Sequence, residues 1–250
     1  MLEEKDLMPR LIVDRELLTF EIKQERLYLI GKRVLDLTVA AVLLVLLAPL
    51  MLLIALAIKC SSPGPVFFVQ DRITVRRCKQ NGRQVWMVKP FRFYKFRSMI
   101  HNADPALHRS YVEANINNDI DTMSRLNGND TKVRKLKVDP RITPIGHFLR
   151  KTSLDELPQL WNVLIGDLSL VGPRPAIPYE IELYKPWYFE RLRAQPGITG
   201  WWQVTARSAA GYDEMINLDI WYVNHQSFAL DCWILIRTPC AVLWPRGAAV

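Results

Sequence analysis

The 250-residue sequence predicts an α+β protein, mainly helical: one apolar membrane helix followed by a domain of short helices that carries a β-hairpin. Three observations predict it. Residues 39–58 read VAAVLLVLLAPLMLLIALAI, a run long enough to pass a bilayer core as a helix. Asn81 and Gly82 separate two β-rich runs, a strong hairpin signal, because a type I′ turn needs positive φ at both central positions. Beyond residue 139, Pro and Gly punctuate helical patterns at short intervals. The chain therefore divides into a segment 1–30, a membrane helix 31–60 and a domain 61–250.

Within 1–30, residues 17–30 alternate charged and apolar positions and predict an amphipathic helix leading into the apolar run. That run is basic on both sides. Lys32 and Arg33 precede it, and Lys59, Arg72, Arg76, Arg77 and Lys79 follow. A spanning helix shows lysine and arginine bias on its cytoplasmic side only. Pro49 lies near the middle, lacks an N–H and clashes with the carbonyl four residues back. Two topologies fit: a kinked span, or a re-entrant helix broken at Pro49 that enters and leaves through one leaflet. In either case Lys32 and Arg33 face anionic headgroups, which makes them, with Pro49, the anchor residues. Residues 55–57 superficially resemble a signal-cleavage site, but the run is longer than a signal's and the preceding segment is acidic as well as basic. The reading is an uncleaved anchor.

After the breaker cluster at 61–65 come the hairpin strands, 66–75 and 84–96, with Pro90 marking the second as an edge or an interrupted strand. A helix follows near 105–115, then a polar loop centred on Gly128. Turn residues at 139–146 lead into a short helix, and 154–168 form the next. Pro173, Arg174 and Pro175 make a rigid turn, 180–194 an amphipathic helix, and 212–224 and 229–244 the last two helices. Six of eight tryptophans (Trp187, Trp201, Trp202, Trp221, Trp233 and Trp244) lie beyond residue 180, a distribution that suits the headgroup level of a bilayer as well as a core.

The net charge of +8 suits an anionic membrane surface, a phosphate-bearing substrate or nucleic acid. No nucleic-acid motif, P-loop, dinucleotide fingerprint or Ser-His-Asp pattern is present. Cys60, Cys78, Cys232 and Cys240 lack metal-ligand spacing and read as reduced cytosolic thiols. His101, His108, His147 and His225 also lack metal spacing and read as non-catalytic.

The segment RKTSLDELPQLWN, residues 150–162, carries the strongest polar constellation. Ser153 and Glu156 fit a capping box and Pro158 a first helical turn, which is the structural reading. The chemical reading begins from the same helix start. Unpaired N–H groups and the positive dipole end attract phosphate oxygens. Asp155 and Glu156, beside Arg150 and Lys151, suit a divalent cation and a carboxylate attack on phosphorus. Lys95 and Arg97 end the second hairpin strand, and Arg174 is pre-organised between prolines for gripping phosphate.

Taken together, KRVLDLTVAAVLLVLLAPL, SSPGPVFFVQDRI, YKFRSM, DPRITPIGHFLRKTSLDELPQLWNVLIGDLSLVGPRP and PGITGWWQV resemble the bacterial sugar transferase family, the monotopic phosphoglycosyl transferases. The resemblance runs from about Lys32 to the C-terminus. It implies transfer of a sugar-1-phosphate from a UDP-sugar to a polyprenyl phosphate, with release of UMP, as the first membrane step of polysaccharide or glycoconjugate assembly. It implies Mg²⁺ and a covalent phosphosugar-aspartate intermediate. Asp155 then falls in the place of nucleophile and metal ligand, Glu156 in that of a catalytic partner that deprotonates or orients the incoming lipid phosphate or assists the metal, and Arg150, Arg174, Lys95 and Arg97 in phosphate-binding places. The resemblance also implies a re-entrant helix over 33–60 at the inner membrane, in contact with its lipid, with the catalytic domain on the cytoplasmic face. Ala48 departs from the Ser found before the mid-helix proline in many members, and the polar stretch 101–138 is longer than in compact relatives. The uncovered first thirty residues offer a contact surface for a homodimer. The alternative is a non-catalytic, membrane-anchored lipid-binding or scaffold protein of the same fold, against which the intact acidic pair argues.

Overall fold

The computed structural model describes residues 12–13, 16–104, 106–126, 139–206 and 211–243. Two short pieces, β1 (Ile12–Val13) and β2 (Glu16–Leu17), pair with each other, and β3 (Thr19–Glu21) follows. Where an amphipathic helix was expected over 17–30, β3 pairs antiparallel with the second hairpin strand, and the helix begins only at Arg26. The alternation of Leu18, Phe20 and Ile22 has a period of two, and these side chains pack against the buried Ile73, Val75, Trp86 and Val88.

Helix α1 (Arg26–Ser61) is long and apolar enough to cross a membrane. It is continuous through Pro49, so the expected break is not there. Proline removes one hydrogen bond of the ladder, and the turns on either side keep theirs. One face of α1 meets the domain before and after Pro49. Leu29, Lys32, Asp36, Ala40, Ile54 and Ile58 are buried, with Leu43, Leu44, Met51 and Ala55 packing between them. That spacing is the 3.6-residue helical period. The opposite face leaves Val34, Val42, Val45, Leu46, Leu52, Leu53 and Leu56 exposed.

Strands β4 (Phe67–Gln80) and β5 (Arg83–Phe96) form the hairpin, joined by Asn81 (φ 50°) and Gly82 (φ 81°), the two positive φ values of a type I′ turn. Sheet order is β3-β5-β4. Pro90 neither interrupts β5 nor makes it an edge strand. It lies past the stretch 85–87 that β3 covers, where no second ladder needs its missing N–H.

Helices α2 (Ala106–Ile116) and α3 (Ile120–Leu126) follow, and the expected loop at Gly128 lies outside the described residues. Next come α4 (Pro144–Thr152), a 3₁₀ turn (Leu154–Glu156) and α5 (Gln159–Ile165). The expected single helix over 154–168 is therefore two pieces. Ser153, at φ 57°, is a left-handed C-cap of α4 and makes no side-chain cap, so the capping box does not form. An N-cap needs extended dihedrals, which Ser153 lacks.

A parallel pair, β6 (Ser169–Val171) and β7 (Gly197–Thr199), encloses α6 (Pro178–Ile181) and a 3₁₀ helix (Pro186–Arg193) where one helix over 180–194 was expected. Helices α7 (Trp201–Thr205), α8 (Tyr212–His225) and α9 (Phe228–Leu243) complete the described chain. The central core joins Ala40 of α1, Phe91 and Phe93 of β5, Leu160 and Val163 of α5, Leu170 of β6, Tyr222 of α8 and Ile234 of α9. Trp201 stacks on Trp221 and meets Trp233, while Trp187, Trp221 and Trp233 keep exposed edges; Trp244 lies outside the described residues.

Candidate active site

Helix α4 starts where Thr143 Oγ1 accepts from the Gly146 N–H, and the left-handed Ser153 ends it. That reversal turns the chain sharply into the 3₁₀ turn, so Asp155 and Glu156 sit at a corner between α4 and α5. The corner is held against the hairpin by Asn162, fully buried, whose Oδ1 accepts from the Tyr94 N–H and whose Nδ2 donates to the Arg92 carbonyl. This clamp brings the end of β5 to the acidic pair.

Lys95 lies between the two carboxylates. Its Nζ is 2.8 Å from Glu156 Oε1 and 3.9 Å from Asp155 Oδ2. The Asp155 side chain is 9% exposed and that of Glu156 37%, so the two have unlike surroundings. Burial pushes the Asp155 carboxyl from its ordinary 3.8 up to about 6, against the opposing pull of Lys95, and the charge of Glu156 adds to the rise. Around Glu156 the crowding of protein atoms opposes ionisation, but Lys95, Arg174 and Arg72 outweigh it and hold its pKa below the ordinary value. One carboxylate is thus desolvated and loosely paired, the other firmly ionised.

Arg150, on the last turn of α4, donates from Nε to Ser98 Oγ at 2.9 Å, and its charge acts on Asp155. Arg174 is fixed by its backbone. Its N–H donates to Asp219 Oδ2 and its carbonyl accepts from Arg191 Nη2, while the Pro175 carbonyl accepts from Arg72 Nη1. Arg191 and Asp219 are themselves a fully buried ion pair. The Arg174 side chain is one-third exposed, with Nη2 3.9 Å from Glu180 Oε1.

The structure brings Asp155, Glu156, Lys95, Arg150 and Arg174 into one electrostatic group. It does not bring Arg97 there. Arg97 is buried and donates to the carbonyls of Ser62 and Pro63 and to Ser62 Oγ, binding the turn that follows α1. Gly64, at φ 119°, belongs to that turn, and a Cβ there would lie 2.1 Å from Arg97 Nη1. Lys32 and Arg33 also point inward rather than to headgroups. Lys32 is buried against Asp231 (2.8 Å) and Tyr222. Arg33 Nη1 and Nη2 donate to the Val163 and Leu164 carbonyls at the end of α5. Pro49 lies on the exposed side of α1.

Sequence reasoning missed Arg72, Asn162, Arg191 and Asp219. Each is a buried polar residue in an apolar context, a visible signal, but its partners come from elements 45 to 103 residues away in sequence for three of these contacts. For a divalent cation the fit is partial and chemical. Asp155 and Glu156 offer adjacent carboxylate oxygens, while among the described residues no three acidic, His or Cys side chains converge. Mg²⁺ is commonly bound by one or two carboxylates plus substrate phosphates, so the pair suits it.

The family description "Bacterial sugar transferase" matches residues 27–245, a span that contains every one of these side chains. The chain belongs to the bacterial sugar transferase family. Among related members of that family, the exopolysaccharide production protein ExoY of Rhizobium meliloti is 38% identical over 218 residues, covering 87% of this chain and 88% of the relative. The undecaprenyl-phosphate galactose phosphotransferase of Salmonella typhimurium is 40% identical over 217 residues, which cover 87% of this chain and 41% of that protein. The UDP-N-acetylgalactosamine-undecaprenyl-phosphate N-acetylgalactosaminephosphotransferase of Aeromonas hydrophila is 35% identical over 228 residues, 89% of this chain and 46% of the relative. This sugar transferase therefore spans most of ExoY and less than half of the two larger relatives.

Proposed function

We propose that the protein transfers a sugar-1-phosphate from a UDP-sugar to undecaprenyl phosphate, releasing UMP, through a phosphosugar ester on Asp155. The observation that carries the mechanism is the contrast between the two carboxylates. Asp155 is desolvated, and its closest cation, at 3.9 Å, is already engaged with Glu156. With a pKa of about 6 it is ionised at neutral pH yet poorly neutralised, the state of a carboxylate nucleophile. The names of the Salmonella and Aeromonas relatives support the reaction class.

In the first step an Asp155 oxygen attacks the sugar-bearing phosphorus. The bond from that phosphorus to the bridging oxygen breaks, and UMP leaves with the bonding electrons. In the second step an oxygen of the lipid phosphate attacks the same phosphorus, and Asp155 departs as a free carboxylate. Glu156, kept ionised by its cations, accepts any proton remaining on the incoming phosphate. Lys95, Arg150 and Arg174 neutralise the pyrophosphate so that an anionic nucleophile can approach. Asp155 and Glu156 would hold Mg²⁺, which when bound supplies charge neutralisation on the phosphate oxygens.

The geometry of α1 supports a membrane arrangement. At about 1.5 Å per residue its 36 residues are about 54 Å long. Its inward face touches the same domain before Pro49, at Asp36 and Ala40, and after it, at Ile54 and Ile58. A span would carry one end across roughly 30 Å of hydrocarbon, away from the domain. Contacts at both ends, with apolar side chains outward, support a helix seated in one leaflet of the inner membrane, the domain on the cytoplasmic face. There the site meets the lipid phosphate at headgroup height. The test is UMP release from a panel of UDP-sugars with and without undecaprenyl phosphate, together with intact-mass detection of the adduct. Multiple turnover requiring both substrates, and an adduct of sugar-phosphate mass absent in Asp155→Asn, are expected. Full turnover by Asp155→Asn would refute the assignment.

A further inference from the structure

The site does not end at Arg174. Five residues further along the same short segment, Tyr179 forms a group with the first turn of α2 that the phosphate chemistry leaves unused. His108 Nδ1 is 2.8 Å from the Tyr179 hydroxyl. The Arg109 guanidinium lies over the Tyr179 ring, 5.6 Å from its centroid, and its Nε donates to Glu113 Oε1 at 3.1 Å. Helix α2 is pinned so that its first turn stays there: Val112 and Ile116 pack among Tyr188, Tyr212, Met215 and Ile216. Arg109 itself is exposed, so one face of its guanidinium plane is open.

The group is electrically unlike its neighbours. Burial, with the nearby charges of Arg174 and Arg72, pushes the His108 imidazole down to about 4, so it is neutral at physiological pH. Burial and Glu180 push the Tyr179 hydroxyl up to about 12, so it keeps its proton. A neutral imidazole and a phenol hold two hydrogens between them, and their mutual bond uses one. The pair therefore always presents one further donor, together with acceptor capacity. A neutral pair beside a planar cation suits an uncharged, flat, hydrogen-bonding group rather than another phosphate. Bases are recognised by stacking on aromatic rings or guanidinium planes and by hydrogen bonds to their edges.

Adjacency to the phosphate-facing cations indicates which part of the donor reaches this place. Attack on the sugar-bearing phosphorus is in line, so the leaving nucleotide lies opposite Asp155. Arg174 and Arg72 act electrostatically on both Glu156 and Tyr179, so the Tyr179 group borders the cations that face the acidic pair. We propose that His108, Arg109 and Tyr179 form the nucleoside-binding end of the donor site, stacking the base on the Arg109–Tyr179 pair and hydrogen-bonding it through His108 and the Tyr179 hydroxyl. This rests on the UDP-sugar reading above and assigns base selectivity to the meeting of α2 and α6.

The test uses the full chain in nanodiscs. UMP binding is measured by calorimetry, and donor and acceptor KM by UMP release, for Arg109→Ala, His108→Ala, His108→Asn and Tyr179→Phe. Base stacking of this kind predicts about tenfold weaker UMP binding in Arg109→Ala, with a parallel rise in donor KM and acceptor KM within about twofold. His108→Asn, which keeps a donor and an acceptor, should recover most of what His108→Ala loses. Unchanged UMP affinity in all four variants overturns the proposal, as does a change confined to acceptor KM or to preference among sugars. A wild-type protein that releases no UMP from any UDP-sugar removes the donor reading and this proposal together. Normal wild-type turnover with unaltered variants removes this proposal alone.

Discussion

Replacing Asp155 with Asn should abolish turnover and stabilise the protein in the same stroke. The sign follows from burial. The folded carboxyl binds its proton more tightly than the unfolded one, with a pKa raised from 3.8 to about 6. Below the unfolded value both states are protonated, and the native state has its full stability. As pH rises through the folded value that stability is lost, because the native state must then hold a desolvated charge. A rise from 3.8 to about 6 corresponds to about 3 kcal/mol at about 1.4 kcal/mol per pH unit. Asn has the shape of the protonated acid and no charge, and Lys95 keeps its closer partner Glu156, so no cation is orphaned. The variant should therefore melt roughly 6–12 °C above wild type at pH 8, taking about 2–4 °C per kcal/mol for a chain of this size. The difference should shrink between pH 6 and 4 and vanish below. Thermal unfolding of both proteins in one detergent, at pH 4, 5, 6 and 8, measures it. A variant that melts below wild type at pH 8, or a difference that ignores pH, would refute the claim that the nucleophile is held at the expense of stability.

Adduct formation in single turnover should have an acid limb near pH 6, since protonated Asp155 cannot attack; Lys95→Met removes a cation that lowers that pKa, and the limb should move to higher pH. Arg191→Met strands the buried Asp219 charge and releases the Arg174 carbonyl, so a loss of about 3–5 kcal/mol in chemical denaturation and a raised donor KM are expected. An unchanged donor KM in the folded fraction would show that the Arg174 turn does not need its clamp. For topology, native Cys60 and a Glu25→Cys variant, both exposed, should react with an impermeant maleimide from the cytoplasmic side of sealed vesicles. Reaction from opposite sides would establish a span.

The readable parts of this fold were those set by local chemistry. Asn81 and Gly82 specify their turn through two positive φ values, and the hairpin follows from it. The acidic pair was readable because two carboxylates beside Arg150 stand at a break in helical pattern. What failed were inferences in which tertiary contact overrides a local signal. Ser153 and Glu156 match a capping box, but the chain uses Ser153 to end α4, and the corner so formed is what lifts Asp155 and Glu156 out of a regular helix. Leu18, Phe20 and Ile22 satisfy a strand and an amphipathic helix about equally over so short a stretch, and only pairing with β5 decides. Lys32 and Arg33 read as lipid anchors because they flank an apolar run. Their partners Asp231 and the α5 carbonyls lie 199 and about 130 residues away and leave no trace in the local pattern.

That last correction changes what α1 does. Its first turns grip both elements that carry the proposed chemistry. Arg33 binds the C-terminal carbonyls of α5, whose other end follows the Asp155 corner. Three residues on, Asp36 Oδ1 accepts from the Leu170 N–H of β6, the strand that runs into the Arg174 turn. Lys32 reaches α9 through Asp231, and Tyr222 joins that pair to the Val171 carbonyl of the same strand. These contacts are charge-assisted, and those of Lys32 and Asp36 are buried, so stranding either of these is more damaging than breaking a surface pair. On the proposed topology the helix that sits in the lipid and the frame that holds nucleophile and arginine are one rigid assembly. The height of α1 in the leaflet then sets the height of Asp155. The basic residues beside an apolar run fasten the Asp155 corner to α1, and on the proposed topology the exposed face of α1, with apolar side chains from Val34 to Leu56, is left to meet the lipid.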